Sequence, residues 1–339
     1  MTNDIYKHVG VIGPGSFGVA IANILAENGH PTYILCRNTE QCELAKHRLE
    51  GKLHDDVMLI HDAAFMMQSC NYIFPIIPGK DFEQAILPIS SMVEDRHIFT
   101  HGTKGLHLTD TLDNCSIEHV ETMSMVMKRV LKTQKVACLA GPNLSREINE
   151  HKPAATVIAS KDKSIQHAVG DILRSKRFQV LMNDDIYGIE LCGVLKNIIA
   201  IAAGAASGLN VGENAKALLI NRGLIEMIHI GSKLGASVKS FYGVAGMGDL
   251  MATCYSPNSR NFSVGYQLSQ GLTYSTIRQQ MEETAEGVNT TRLIYQLSEK
   301  YNWKTPITKM VYKALFEDYP AAEAIQHLMM LPVREDIDF

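Results

Sequence analysis

A lysine at position 196 sits in the run Leu191-Cys192-Gly193-Val194-Leu195-Lys196-Asn197-Ile198-Ile199, where nearly every neighbour is apolar or small. A lysine so placed either snorkels its ammonium to water or is kept for chemistry. Burial would lower its pKa towards neutrality, where it could exchange a proton with a carbonyl or alcohol oxygen. Further along, Gly246-Met247-Gly248-Asp249-Leu250 puts a carboxylate in a tight bend. Asp249 could orient Lys196, bind a hydroxyl, or simply cap a helix. Then Ser256-Pro257-Asn258-Ser259-Arg260-Asn261 precedes an apolar helical stretch. A hydroxyl, a guanidinium and an amide at a helix N-terminus make a phosphate cradle. An ordinary N-cap role for Ser259 stays open beside that reading.

A second set of residues lies in the first half. Gly13-x-Gly15-x-x-Gly18 follows a short apolar run, His8 to Ile12. Gly13 permits a tight strand-to-helix bend, Gly15 lets the backbone approach a pyrophosphate, and Gly18 allows close helix-on-strand packing. A lone Gly-x-Gly-x-x-Gly is a weak signal. Here helical spacing follows it in Phe17, Ala20, Ile21, Ile24 and Leu25, then a stop at Asn28-Gly29 and an apolar strand at Thr32 to Cys36. That βαβ context points to a dinucleotide. NAD-binding turns usually carry an acid at the end of the second strand; this chain has Cys36-Arg37. An arginine suits a 2′-phosphate, so NADP(H) is expected as the preferred cofactor with NAD(H) also accepted, unless Arg37 is only a solvated loop residue. Lys104, in Gly102-Thr103-Lys104-Gly105, and Gly141-Pro142-Asn143 each follow a strand end, where ligands of doubly wound sheets bind.

The elements needed to position these residues can be read from periodicity. Strand candidates at Tyr72 to Ile77, His97 to Thr100, Val136 to Ala140 and Ala155 to Ala159 alternate with helical or loop connections. The fold class expected is α/β, an N-terminal Rossmann-type doubly wound, mostly parallel sheet with a C-terminal all-helical domain. From about Ile186 only helical periodicity remains, over Leu191–Leu209, Asn214–Leu234, Asn261–Leu268, Tyr274–Glu282 and Thr290–Tyr301. The expected domains are 1–185, binding the nucleotide, and 186–339, helical and catalytic.

Bulk properties narrow the function classes. A length of 339 residues suits two cores rather than one. A formal net charge of -4 with no basic tract argues against nucleic acid, while a few placed cations still suit an anionic small molecule. No secretory signal is read at the N-terminus, and the apolar stretch Ile198 to Leu209 reads as a core helix too short to span a bilayer. Seven scattered cysteines with no C-x-x-C pair and no metal-ligand spacing suit free thiols in the cytoplasm.

Taken together, these motifs resemble bacterial NAD(P)-dependent sn-glycerol-3-phosphate dehydrogenase over nearly the whole length. The resemblance rests on Gly13 to Gly18, Thr103-Lys104-Gly105, Gly141-Pro142, Leu195 to Gly204, Asn214 to Gly223, Gly246 to Leu250, Ser259-Arg260-Asn261 and Glu286-Gly287-Val288. It implies an enzyme interconverting dihydroxyacetone phosphate and sn-glycerol 3-phosphate, the backbone precursor of phospholipids, and a homodimer. It implies Lys196 as the general acid/base. Lys104, Gly141, Asn143, Asp249, Ser259, Arg260 and Asn261 would join Lys196 at the substrate. Gly13, Gly15, Ser16, Phe17, Gly18, Arg37, Lys104, Ser145, Arg260 and Glu286 would contact the cofactor.

The chain departs from that pattern in three places. Asn143-Leu144-Ser145 stands where Ser or Thr and then Phe-Ala is usual. Pro78-Gly79-Lys80 replaces a Pro-Ser segment, and the usual Tyr-Leu-Pro-Gly run is absent after Arg37. Two other readings keep or weaken the chemistry: a ketopantoate- or hydroxyacid-type reductase, and a catalytically silent NADPH-sensing paralogue.

Overall fold

The structure is a computed structural model and describes residues 8–281 and 285–331. Ten strands and sixteen α-helices are formed among the described residues. The strands are β1 (His8–Ile12), β2 (Thr32–Leu35), β3 (Val57–Ile60), β4 (Cys70–Pro75), β5 (Ile98–His101), β6 (Leu106–Leu108), β7 (Val120–Thr122), β8 (Val136–Ala140), β9 (Ala154–Ala159) and β10 (Phe178–Asn183). The helices of the first half are α1 (Ser16–Glu27), α2 (Thr39–Arg48), α3 (Ala63–Ser69), α4 (Phe82–Ile86), α5 (Met123–Leu131), α6 (Ser145–Asn149) and α7 (Lys163–Leu173). Those of the second half are α8 (Ile186–Gly208), α9 (Glu213–Lys233), α10 (Val238–Tyr242), α11 (Asp249–Tyr255), α12 (Arg260–Ser269), α13 (Tyr274–Gln279), α14 (Glu286–Tyr301), α15 (Pro306–Phe316) and α16 (Ala321–Met329).

Eight strands form one sheet in the order β10-β9-β8-β5-β4-β1-β2-β3, while β6 and β7 pair separately. β1 is hydrogen-bonded in parallel to both β2 and β4, so the strand order reverses at its C-terminal end. That reversal is where a doubly wound sheet opens a crevice for a ligand. All the main-sheet pairings are parallel except β8 with β9. The expected mostly parallel Rossmann-type sheet is what forms. Val11, Ile21, Leu25, Ile34 and Ile158, all buried, build its core between sheet and helices.

The short pair β6 and β7 escapes the sequence reading, and so do two strands of the main sheet, β3 and β10. Both are edge strands with mixed exposure, as Met58 (60% exposed) and Leu181 (42% exposed) show; β3 is an apolar run of only four residues, and in β10 Gln179 interrupts the apolar residues. β4 begins two residues before the expected Tyr72 and stops at Pro75. α8 starts at Ile186 rather than Leu191, which makes it 23 residues long and apolar enough in principle to cross a membrane. Its most apolar window is entirely buried within the protein, as a core helix requires. α15 and α16 were not expected at all. The first opens on Pro306, whose fixed φ suits an N-terminal helical position but reads as a breaker in a periodicity scan. α13 ends at Gln279, and the expected end at Glu282 lies outside the described residues.

The chain divides into two compact units. One runs to His107 and resumes over Glu121–Ile186; the other comprises Leu108–Val120 and the chain from Tyr187 onward. The segment Leu108–Val120 therefore belongs with the helices. Lys300, on α14, donates from its Nζ to the Cys115 carbonyl at 2.8 Å inside that second unit.

Candidate active site

In the sheet unit, the turn after β1 has the geometry its glycines predict. Gly13 takes φ 109°, and a Cβ there would stand 2.6 Å from the Ile76 carbonyl oxygen. A Cβ on Gly18 would fall 2.2 Å from the Gly13 oxygen. Gly15 differs: a Cβ there would meet nothing within 4 Å, so the backbone at this residue faces open space. Gly15 is also the N-cap of α1, supplies no side-chain cap, and the first turn holds no acidic residue. Backbone N–H groups and the positive end of α1 are thus presented bare, the arrangement that accepts a pyrophosphate. Ser16 opens α1, and Phe17 packs so closely on Gly102 that a Cβ there would lie 2.7 Å from the ring.

Arg37 leaves the end of β2 with an exposed side chain. Its backbone N–H donates to Gln41 Oε1 at 2.6 Å, and Asn38 Oδ1 caps α2 through the Gln41 N–H at 2.8 Å. The loop is fixed while the guanidinium projects. Arg48, a residue the sequence reading passed over, reaches from the last turn of α2 to donate to the Pro14 carbonyl at 2.5 Å. It steadies the glycine turn from outside, and its i, i+11 distance from Arg37 gave no periodic signal.

The loops after β4, β5 and β8 are tied together. Thr103 Oγ1 donates to the Ile77 carbonyl at 2.7 Å. Lys104 Nζ lies 3.5 Å from the Gly141 carbonyl oxygen, bringing the two sequence-predicted substrate positions side by side. Gly141 has φ 149° and sits against the Ala155 carbonyl, which excludes a side chain. Asn143 is buried, and its Nδ2 donates to Thr156 Oγ1 at 3.0 Å. Its Oδ1 finds no partner among the described residues, an acceptor left for a ligand donor. Ser145 is the first residue of α6, while Lys80 is exposed on a short 3₁₀ turn.

In the helical unit, α8 buries the side chain of Lys196 to 4% exposure. Its ammonium donates to Asp249 Oδ1 in a short ion pair, and to Thr253 Oγ1 at 2.5 Å. Asp249 is 3% exposed and opens α11 directly after the π-turn Val244–Gly248. Thr253 stands one helical turn on and donates in turn to the Asp249 carbonyl at 2.6 Å. The carboxylate and hydroxyl share one helix face because they are four residues apart. That i, i+4 spacing was present in the sequence, and Thr253 was overlooked. A buried ammonium costs several kcal/mol unless paired, and Asp249 is the charge that offsets it. The neighbouring Cys254 thiol is pushed up to about 12 by burial, so it stays neutral beside the pair.

The Ser259-Arg260-Asn261 turn is assembled at the start of α12. Ser259 is its N-cap, Oγ accepting from the Phe262 N–H at 3.3 Å, so the structural reading holds whatever else the hydroxyl does. Asn261 Oδ1 accepts from the Gly287 N–H at 3.0 Å, joining α12 to the start of α14, where Glu286 is the first residue. Arg260 is exposed. α12 meets α8 backbone to backbone: a Cβ on Gly265 would stand 1.8 Å from the Ile201 oxygen, and one on Gly204 would stand 2.0 Å from the Phe262 oxygen. Lys196 and the turn are thereby carried on two helices locked by glycine. Seven free cysteines are all buried, and no group of metal-ligating side chains occurs among the described residues.

The sequence-predicted residues therefore fall into two clusters, each complete within its own unit. Gly13 to Gly18, Arg37, Lys104, Gly141, Asn143 and Ser145 belong to the sheet unit; Lys196, Asp249, Ser259, Arg260, Asn261 and Glu286 belong to the helical one. Both parts of the chain match known proteins. Residues 8–166 match the family described as NAD-dependent glycerol-3-phosphate dehydrogenase N-terminus, and 185–326 match its C-terminus. A glycerol-3-phosphate dehydrogenase [NAD(P)+] of Azotobacter vinelandii is 36% identical over 338 residues, spanning 98% of this chain and 96% of its own. The crystal structure of glycerol-3-phosphate dehydrogenase from Coxiella burnetii superposes with a TM-score of 0.85 at 28% identity, over 96% of this chain and 99% of that one. A PanE/ApbA family ketopantoate reductase from Ralstonia eutropha reaches only 0.57 at 13% identity, over 94% of this chain and 99% of its own, a likeness of fold alone.

Proposed function

The chain belongs to the NAD-dependent glycerol-3-phosphate dehydrogenase family, and from that premise we propose that it interconverts dihydroxyacetone phosphate and sn-glycerol 3-phosphate. The observation that carries this reading is the buried Lys196–Asp249–Thr253 trio. The bare N-terminus of α1 and the open face of Gly15 fit a dinucleotide pyrophosphate, held by Gly13, Gly15, Ser16, Phe17 and Gly18. The bound nicotinamide supplies the hydride. Lys196 gives its proton to the C2 oxygen as the alcohol forms, and takes it back in the reverse direction. Asp249 and Thr253 hold two of its three N–H directions, so the ammonium cannot swing away from the reacting atom. Ser259, Arg260 and Asn261 take the phosphate, with Lys104, Gly141 and Asn143 on the triose. Arg260, Glu286, Lys104 and Ser145 complete the cofactor contacts.

Arg37 is the proposed selector of NADPH over NADH, because its guanidinium projects from the end of β2 and can take a 2′-phosphate. The test is a steady-state assay of dihydroxyacetone phosphate reduction with NADPH and NADH in parallel, on the native chain and on Arg37→Asp. The native chain should prefer NADPH, and the substitution should move the ratio of kcat/KM towards NADH by at least about tenfold. No turnover with either cofactor would overturn the function; an unmoved ratio would overturn the role of Arg37 alone. The assembly proposed is a homodimer and the compartment the cytoplasm, supported by the family resemblance and by seven cysteines that form no disulfide.

A further inference from the structure

Lys216 is a buried charge that the chemistry above does not use. It lies near the start of α9 with 7% of its surface exposed. Its Nζ stands 4.1 Å from the centre of the Tyr255 ring and 5.6 Å from that of Phe262. Among the described residues no carboxylate pairs with it and no hydrogen-bond acceptor meets it. A lysine this deeply buried is ordinarily paired, and an ammonium has three donors to satisfy. Two ring faces offset part of the desolvation, and among the described residues no protein acceptor takes up the three donors.

Its position is specific. Tyr255 ends α11 and Phe262 lies in the first turn of α12, so the two rings bracket the Ser256–Asn261 turn on both sides. Cys254, one residue before Tyr255, lies in the field of Lys196, Lys216 and Asp249 together. The second lysine thus stands beside the same turn as the catalytic one, at the N-terminus of a ten-residue helix. A cation beside a helix N-terminus suits an anion.

We propose that Lys216 is a ligand of the substrate's phosphate dianion, holding it against the Ser259–Asn261 turn from the side opposite Arg260's solvent-exposed guanidinium. The proposal rests on the phosphorylated-triose reading above. The rival is a purely structural strut, in which the ammonium only pins α9 to α11 and α12 through the two rings.

The two are separated by Lys216→Met, which keeps the stem and removes the charge. The variant is assayed with dihydroxyacetone phosphate and with unphosphorylated dihydroxyacetone, and inorganic phosphate is titrated into the cofactor-loaded enzyme by calorimetry. A phosphate ligand predicts that the ratio of kcat/KM between the two substrates falls by about 10- to 100-fold and that phosphate affinity weakens in step. Lys216→Arg, which keeps the charge and the stacking, should recover most of both. Equal losses on the two substrates, or unchanged phosphate affinity, would overturn the proposal. Should the methionine variant not fold, Lys216→Gln carries the same readouts. If the native chain fails to reduce dihydroxyacetone phosphate, the function itself falls, whereas the phosphate titration still decides whether Lys216 binds the anion.

Discussion

A buried ammonium needs a counter-charge, and at Lys196 the atom that the counter-charge holds is the one the proposed reaction would use. In the proposed mechanism Asp249 stabilises the protonated lysine that the reduction would consume, so its electrostatic task and its structural task are the same. Removing the lysine separates them. Lys196→Ala should lower kcat by about 10²- to 10⁴-fold while the dissociation constant for NADPH, read by fluorescence titration, stays close to native. It should also lower thermal stability, because the buried Asp249 carboxylate then loses the ammonium that offsets its charge. Turnover within a few-fold of native would remove Lys196 from the acid/base role. Most of this scale was legible in the sequence. A lysine in an apolar run, an aspartate after Gly-x-Gly and a Ser-Arg-Asn turn each carried a chemical meaning. Thr253 was missed because a threonine inside a helix has no signature until its partner on the facing helix is known.

The helices that hold these residues are themselves held by polar groups at their ends. Glu226, buried on α9, accepts from the N–H groups of Ile307 and Thr308 at 2.7 and 2.8 Å and from the Thr308 hydroxyl at 2.6 Å. It serves as the cap that Thr305 does not provide to α15. Burial pushes its carboxyl up to about 7 from an ordinary 4.5, against the pull of those three donors. The folded chain therefore keeps this proton at pH values where the unfolded chain has released it. Its contribution is fully present below about pH 4.5 and declines as pH rises towards 7, by about 3 kcal/mol in all. Urea unfolding between about pH 5 and pH 7 should show that decline in the native chain and lose it in Glu226→Gln. Parallel slopes in the two proteins would show that another group is responsible. Nothing in the sequence marked Glu226, since a cap supplied from eighty residues away leaves no local pattern.

Across the whole molecule, the sequence conveyed architecture better than boundaries. The βαβ context of the glycine turn fixed the sheet type, because a parallel strand pair needs a helical crossover and the Asn28-Gly29 stop set its length. The edge strands β3 and β10 did not stand out, since a row of four apolar residues is too short to separate a strand from a helix turn and Gln179 breaks the run in β10. Placing Leu108–Val120 with the helices needed tertiary information: the segment is held by a lysine nearly two hundred residues downstream. The cysteines had the clearest reading, as seven thiols without spacing became seven buried thiols without bridges.

The backbone contact between α8 and α12 makes the helical unit a ruler. Side chains can rotate to suit a longer guest, but Gly204 and Gly265 leave only main chain at the crossing, and main chain does not yield. The span from the Lys196 ammonium to the Ser259–Asn261 turn is consequently set by main-chain packing, and under the proposed function so is the number of carbons between a reducible carbonyl and its phosphate. Gly265→Ala should force the helices apart, raising KM for dihydroxyacetone phosphate while leaving the KM for NADPH near native. An unchanged triose KM in a folded variant would show that the measuring edge lies elsewhere.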